Sequence, residues 1–131
     1  MFDKEDTVSL GTEATDLKTR TMAFARRVIR FFSALPRNPV AQVPGRQLLR
    51  SGTSFGANYR EAFRARSKAE FIAKLGDRLE EAEESEYWLE LIHEGQIVPS
   101  SRLKPLLQES CELMAIFAAS IRSAKNWPDA R

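Results

Sequence analysis

The chain has 131 residues, 43% of them apolar and 29% charged, a length for one domain and a balance that can build a core. Lys and Arg number 20 against 18 Asp and Glu, and the single Cys111 and single His93 exclude a disulfide framework or a zinc site of four Cys and His ligands within one chain. No window reaches the roughly 18 uninterrupted apolar residues of a membrane span, and the acidic start Met1–Asp6 is no secretory signal, so a soluble, reducing, cytoplasmic setting without membrane contact is expected.

Residues 1–14 read as a flexible N-terminal tail, 15–126 as the folded unit and 127–131 as a C-terminal tail. The first helix is expected from Thr12 or Thr15 to Leu35. Its stripe is Leu17, Phe24, Val28, Phe31 and Leu35, widened by Met22, Ala25, Ile29 and Phe32, so broad a face suggesting burial against more than one neighbour. Leu35-Pro36 stops it. The second helix runs to Arg66 from either Asn38, a capping residue before Pro39, or Pro44. Ser67-x-x-Glu70 is a capping box that opens a third helix, ending at Gly95 as a left-handed cap after Glu94. The fourth helix spans Ser100 or Ser101 to about Asn126, with Pro105 in its first turn. Its core stripe is Leu103, Leu106, Ser110, Leu113, Phe117, Ile121 and Ala124. Four such rods with short connections make an all-α, antiparallel up-and-down four-helix bundle.

Three stretches carry more than periodicity: Arg50-Ser-Gly-Thr-Ser-Phe-Gly-Ala-Asn58, Ser67-Lys-Ala-Glu-Phe-Ile-Ala-Lys-Leu75, and Glu81-Ala-Glu-Glu-Ser-Glu-Tyr-Trp-Leu-Glu-Leu91. Over about residues 18–126 the chain resembles the bacterial four-helix-bundle family named after the protein encoded in 23S ribosomal RNA intervening sequences, also called S23. That resemblance implies an up-and-down bundle assembled into a ring of five, with no established enzymatic activity. A related bundle, the accessory subunit of diversity-generating retroelements, is similar in fold and ring assembly and binds nucleic acid and a reverse transcriptase. Pro44-Gly45 departs from the continuous helix that the family would show there, and the acidic segment before Leu17 departs as well.

Gly52-Thr-Ser-Phe-Gly56 lacks the preceding strand and the Lys-Ser/Thr of a phosphate cradle, so its small residues read as a place of close helix packing. Glu86 and His93 fall on the same arc as Leu75, Leu79, Ala82 and Leu89, and are expected to be buried polar groups. A partner such as Arg50, Asn58 or Tyr59 would satisfy the carboxylate. Glu90-x-x-His93 is also the spacing of di-iron bundles, but a second such pair is absent, so a carboxylate-bridged metal bundle is the lesser alternative and no cofactor is expected. Tyr87, Trp88 and Leu91 point off the core side and suggest an oligomer interface, although Trp88 could instead fold along its own helix. Cys111 has no His or second Cys near it and reads as a small filler at a helix edge.

Charge is segregated. Lys18–Lys68 holds 12 Lys and Arg with one acid, a net +11, whereas Glu70–Glu94 nets −7. Arg20, Arg26, Arg27 and Arg30 oppose the apolar stripe of the first helix, and Arg46, Arg60 and Arg64 extend the basic surface. These seven are the candidate nucleic-acid contacts, in a non-enzymatic protein whose partners are further copies of itself and RNA, DNA or a nucleic-acid enzyme. The competing reading is a scaffold whose arginines are consumed by the acidic third helix. Aromatics are not interleaved with the arginines on the outer face of the first helix, which gives single-strand readout little support.

Overall fold

The computed structural model describes the backbone of residues 4–57 and 59–128, with side chains from residue 17 onward except at positions 58 and 60. The structure is 84% helical, and no strand occurs among the described residues. Four long helices, α1 (Lys4–Ser33), α2 (Pro39–Ala57), α4 (Lys68–Glu94) and α5 (Ser100–Lys125), are joined by short connections, with a single turn, α3 (Arg60–Phe63), between α2 and α4.

Helix α1 begins at Lys4, inside the segment expected as a tail and ahead of Thr12 or Thr15. At α2 the start falls at the earlier of the two candidates. Asn38 Oδ1 accepts from the Ala41 backbone N–H at 3.0 Å, and Pro39 occupies the first turn. Pro44 and Gly45 lie buried inside the helix, which runs through them. The expected end at Arg66 is corrected: α2 stops at Ala57, where buried Tyr59 turns inward and its N–H bonds back to Gly56. The Ser67 cap forms, its Oγ accepting from Glu70 N–H at 3.1 Å, while Glu70 Oε1 reaches back one residue further than a capping box and takes the Arg66 N–H at 3.3 Å.

Gly95 is not left-handed; its φ is −77°, and Gln96 at φ 52° carries that conformation. Gln96 N–H reaches His93 O and Ile97 N–H reaches Ile92 O, the paired bonds that close a Schellman end, with Ile97 packed on the core. Pro105 sits in the second turn of α5 rather than the first, and α5 has no side-chain cap at Pro99.

The helices alternate in direction, and cross-contacts fix their order. Gly52 and Gly56 of α2 lie against Val28 and Thr21 of α1, and Ser51 Oγ of α2 meets Ser85 Oγ of α4 at 2.9 Å. The bundle therefore goes round as α1, α2, α4, α5, with α5 returning to α1 across the most sparsely packed seam. Phe24, Phe55 and Phe117 interlock at the centre, with ring centroids 5.4 and 6.0 Å apart along the chain of three. Leu17, Val28, Leu48, Phe71, Leu75, Leu89, Ile92 and Leu113 complete a fully buried core.

Stripe positions hold at their centres and loosen at their edges, where Ala25 and Phe32 are half-buried. Phe31 and Ile121 are half-buried rather than buried, and Met22 and Ile29 are 53% and 48% exposed. Trp127, placed in the expected C-terminal tail, stacks on Phe71 at 6.1 Å and accepts from Lys68 Nζ through its carbonyl.

Candidate nucleic-acid interface

The arginines that looked equivalent in sequence separate into distinct environments. Arg20, expected to face solvent with the others, is consumed within the chain. Its guanidinium grips Glu109 through two hydrogen bonds of 2.8 and 3.1 Å, and Glu112 through a third of 3.0 Å. Glu109 and Glu112 sit one turn apart on the α5 face that lines the sparse seam, so the fork clamps α1 to α5. These bonds raise the Arg20 pKa above its ordinary value, and those from Gln108 and Arg20 lower that of Glu112. Arg50 is likewise engaged, pairing with Glu84 of α4 rather than with Glu86.

Arg26, Arg30, Arg46 and Arg64 are exposed and Arg27 is half-buried, and none has an acidic partner among the described residues. The antiparallel layout gathers Arg26, Arg27, Arg30 and Arg46 toward one end of the bundle, because the C-terminal half of α1 lies beside the N-terminal half of α2. Arg64 follows α3 at the opposite end, and the Arg60 side chain lies outside the described residues. The +11 stretch is thus one cluster plus outliers, not a continuous surface.

A residue that sequence reading passed over joins that cluster. Arg102, in the first turn of α5, lines a groove of about 270 Å³ together with Arg27 and Arg30, over a floor of Phe31, Val98 and Leu106. No aromatic is interleaved with the arginines on the outer face of α1, but Phe31 of the core stripe is half-buried and shares the groove with Arg27 and Arg30. Nothing in sequence brings Arg102 to Arg30, since only the closing of α5 onto α1 does so.

Glu86 and His93 are not buried. Both are half-exposed at the edge of α4, whose core face is Phe71, Leu75, Ala82, Ser85, Leu89 and Ile92. Glu86 Oε2 accepts from Cys111 Sγ at 2.9 Å, and His93 Nε2 lies within hydrogen-bond reach of Ser100 Oγ at 3.2 Å. Tyr59 is buried in the core cluster, and Asn58, the other partner considered for Glu86, lies outside the described residues. Glu90 is exposed, and no group of three His, Cys, Asp or Glu suited to a metal occurs among the described residues. Cys111 is exposed rather than filling a space, and its hydrogen bond to Glu86 pushes its pKa up to about 11.

Tyr87 and Leu91 are exposed at 57% and 42%. Trp88 is half-buried against the core and folds along its own helix, its Nε1 donating to Glu84 Oε2 at 3.3 Å. The α2/α4 register set by Ser51–Ser85 and Arg50–Glu84 puts exposed Val43 opposite Leu91, so one apolar strip spans both helices. Among the described residues no helix is long and apolar enough to cross a membrane.

Comparison with known proteins accords with this architecture. The family described as 23S rRNA-intervening sequence protein matches residues 13–119. A crystal structure of a protein of unknown function from the S23 ribosomal protein family of Bacteroides thetaiotaomicron is similar, with 37% identity and a TM-score of 0.73 over 80% of this chain and 97% of that one. Curated proteins include no match. With the family pattern covering most of the bundle and a solved relative sharing its fold, the chain belongs to the 23S rRNA-intervening sequence protein family.

Proposed function

We propose that this protein is a non-enzymatic, self-assembling bundle of the cytoplasm that binds RNA or DNA through phosphate contacts from arginines that have no acidic partner among the described residues. The observation that carries this reading is the cluster of Arg26, Arg27, Arg30 and Arg46 at one end, without acidic partners among the described residues. Guanidinium forks suit phosphate oxygens, and such contacts bind without reading sequence. Repetition of the cluster around a ring multiplies the local field.

Self-association is supported by apolar surface left uncovered on two sides. Val43, Tyr87 and Leu91 form one patch at α2/α4, and Met22 and Ile29 stand exposed along the α1 stripe that borders α2. A closed ring needs two different patches that meet across a heterologous interface. These patches lie on neighbouring sides of the bundle, so each copy added turns through an angle, as ring closure requires. A homopentamer is the assembly we propose, in keeping with the family resemblance.

A mobility-shift titration of RNA and DNA across a salt series tests the binding. Log affinity is expected to fall linearly with log salt by about 0.7–0.9 per phosphate neutralised. Changing Arg26, Arg27 and Arg30 together to Gln should flatten that slope without lowering the melting temperature. Arg20→Gln is the control, because it should loosen the α1/α5 seam by about 1 kcal/mol and leave the slope unchanged. A scaffold without nucleic-acid binding is the second reading, favoured by the intramolecular capture of Arg20 and Arg50. It wins if no shift is seen at low salt.

A further inference from the structure

Three cations and an aromatic ring share one concave surface, and the combination restricts what can enter. Arg27 and Arg30 from α1 and Arg102 from α5 stand around the groove, and no ion pair engages any of them among the described residues. Three like charges held together without a counter-charge call for an anion. The floor is not polar. Half-buried Phe31 and Val98 and the 3%-exposed Leu106 make it apolar, and an inorganic anion alone would leave that surface unused. A ligand that satisfies both must carry negative charge at one edge and a flat apolar body beside it. A volume of about 270 Å³ admits one small planar group with its charged attachment.

We propose that this groove accepts a single unstacked nucleotide of a single-stranded nucleic acid, its phosphate held by Arg27, Arg30 and Arg102 and its base against Phe31. The inference rests on the nucleic-acid reading above and narrows it. A rigid duplex can present phosphates to the arginines but keeps its bases stacked, so it forfeits the apolar floor. A single strand can swing one base in. Base–aromatic stacking tolerates any base, so the preference concerns strandedness rather than sequence.

Fluorescence anisotropy of a labelled single-stranded oligonucleotide, and of the duplex formed with its complement, measures this at fixed salt. The single strand should bind about tenfold tighter than the duplex, the gain of one base on an aromatic surface. Phe31→Leu keeps an apolar side chain of similar bulk but removes the ring face. It should lower single-strand affinity about fivefold, leaving duplex affinity and salt slope alone. Arg102→Gln, an exposed change that spares the core, should weaken the single strand and reduce its salt slope by about 0.7. Thermal melts of both variants confirm that each remains folded.

Absence of binding by either nucleic acid at low salt overturns the nucleic-acid reading and this groove with it. Binding in which strand and duplex are equal, or in which Phe31→Leu changes nothing, overturns the groove alone. Competition by poly-glutamate as effective as by unlabelled oligonucleotide also overturns it, in favour of an acidic peptide segment.

Discussion

The thiol of Cys111 donates to Glu86 Oε2 across the α4/α5 contact, and that hydrogen bond is the main cause of its pKa reaching about 11. The folded chain then holds the thiol proton more tightly than the unfolded one, whose ordinary value is 9.0. Stability from this contact is present below about pH 9 and is lost as pH rises toward 11. Reactivity follows the same sign, since the thiolate is the nucleophile. Iodoacetamide should therefore label Cys111 more slowly at mildly alkaline pH than it labels a cysteine in an unstructured peptide. Glu86→Gln should speed that labelling by about tenfold, read by mass spectrometry over time. Equal rates in the two proteins would show that the carboxylate does not govern the thiol. Neither partner was legible as such. Both lie at helix edges, and their meeting depends on how α4 and α5 are rotated about their own axes.

At the scale of elements, the small residues of α2 are legible and their cause is now visible. A Cβ on Gly52 would lie 2.9 Å from Val28 Cγ2, and one on Gly56 would lie 2.7 Å from Thr21 Cβ. Alanine is the better helix former by about 1 kcal/mol, yet the clash opposes that gain. Gly52→Ala is expected to destabilise the bundle by about 1–3 kcal/mol net, because Val28 is itself fully buried and has nowhere to move. Denaturant unfolding measures it, and a stabilised variant would mean that α1 and α2 can separate freely at this point. Steps of 100° also explain the misplacement of Glu86 and His93. Leu75, Ala82 and Leu89 repeat every seven residues along the α4 core face, with Phe71, Ser85 and Ile92 beside them. A straight helix drifts about 20° per heptad against such a repeat, so the seam moves away from Glu86 and His93 toward Ser85 and Ile92. The left-handed residue after α4 was misplaced by one position for a related reason: which of Gly95 and Gln96 turns back depends on Ile97 reaching the core.

At the scale of the whole molecule, the uncovered strip of Val43, Tyr87 and Leu91 calls for a neighbour. Light scattering of the purified protein at micromolar concentration should report about five times the 14.9 kDa chain mass. Leu91→Asp should shift that mass downward while leaving the helical spectrum intact, since the side chain does not enter the core. A monomeric mass for the unaltered protein would overturn the assembly. Trp88→Ala is a poorer probe than it looked from the sequence, because Trp88 packs on the core and would unsettle the fold as well.

Local chemistry was enough to determine the fold class, the antiparallel order, the Ser67 cap and most of the core, because each depends on spacing within one helix or on a residue beside its own backbone, whereas the choice of Asn38 over Pro44 waited for the structure. It also separated the basic half of the chain from the acidic one. Only the tertiary structure decided which arginines have an acidic partner among the described residues. Arg20 and Arg30 share a helix and a charge, but one pairs with Glu109 and Glu112 and the other lines a groove with Arg102. That difference arises from residues some 70 to 90 positions away along the chain, brought in when α5 closes the bundle. Periodicity within a helix carries no information about which side chain of a distant helix will stand opposite, and that choice separates an arginine clamped to two carboxylates from one that lines an open groove.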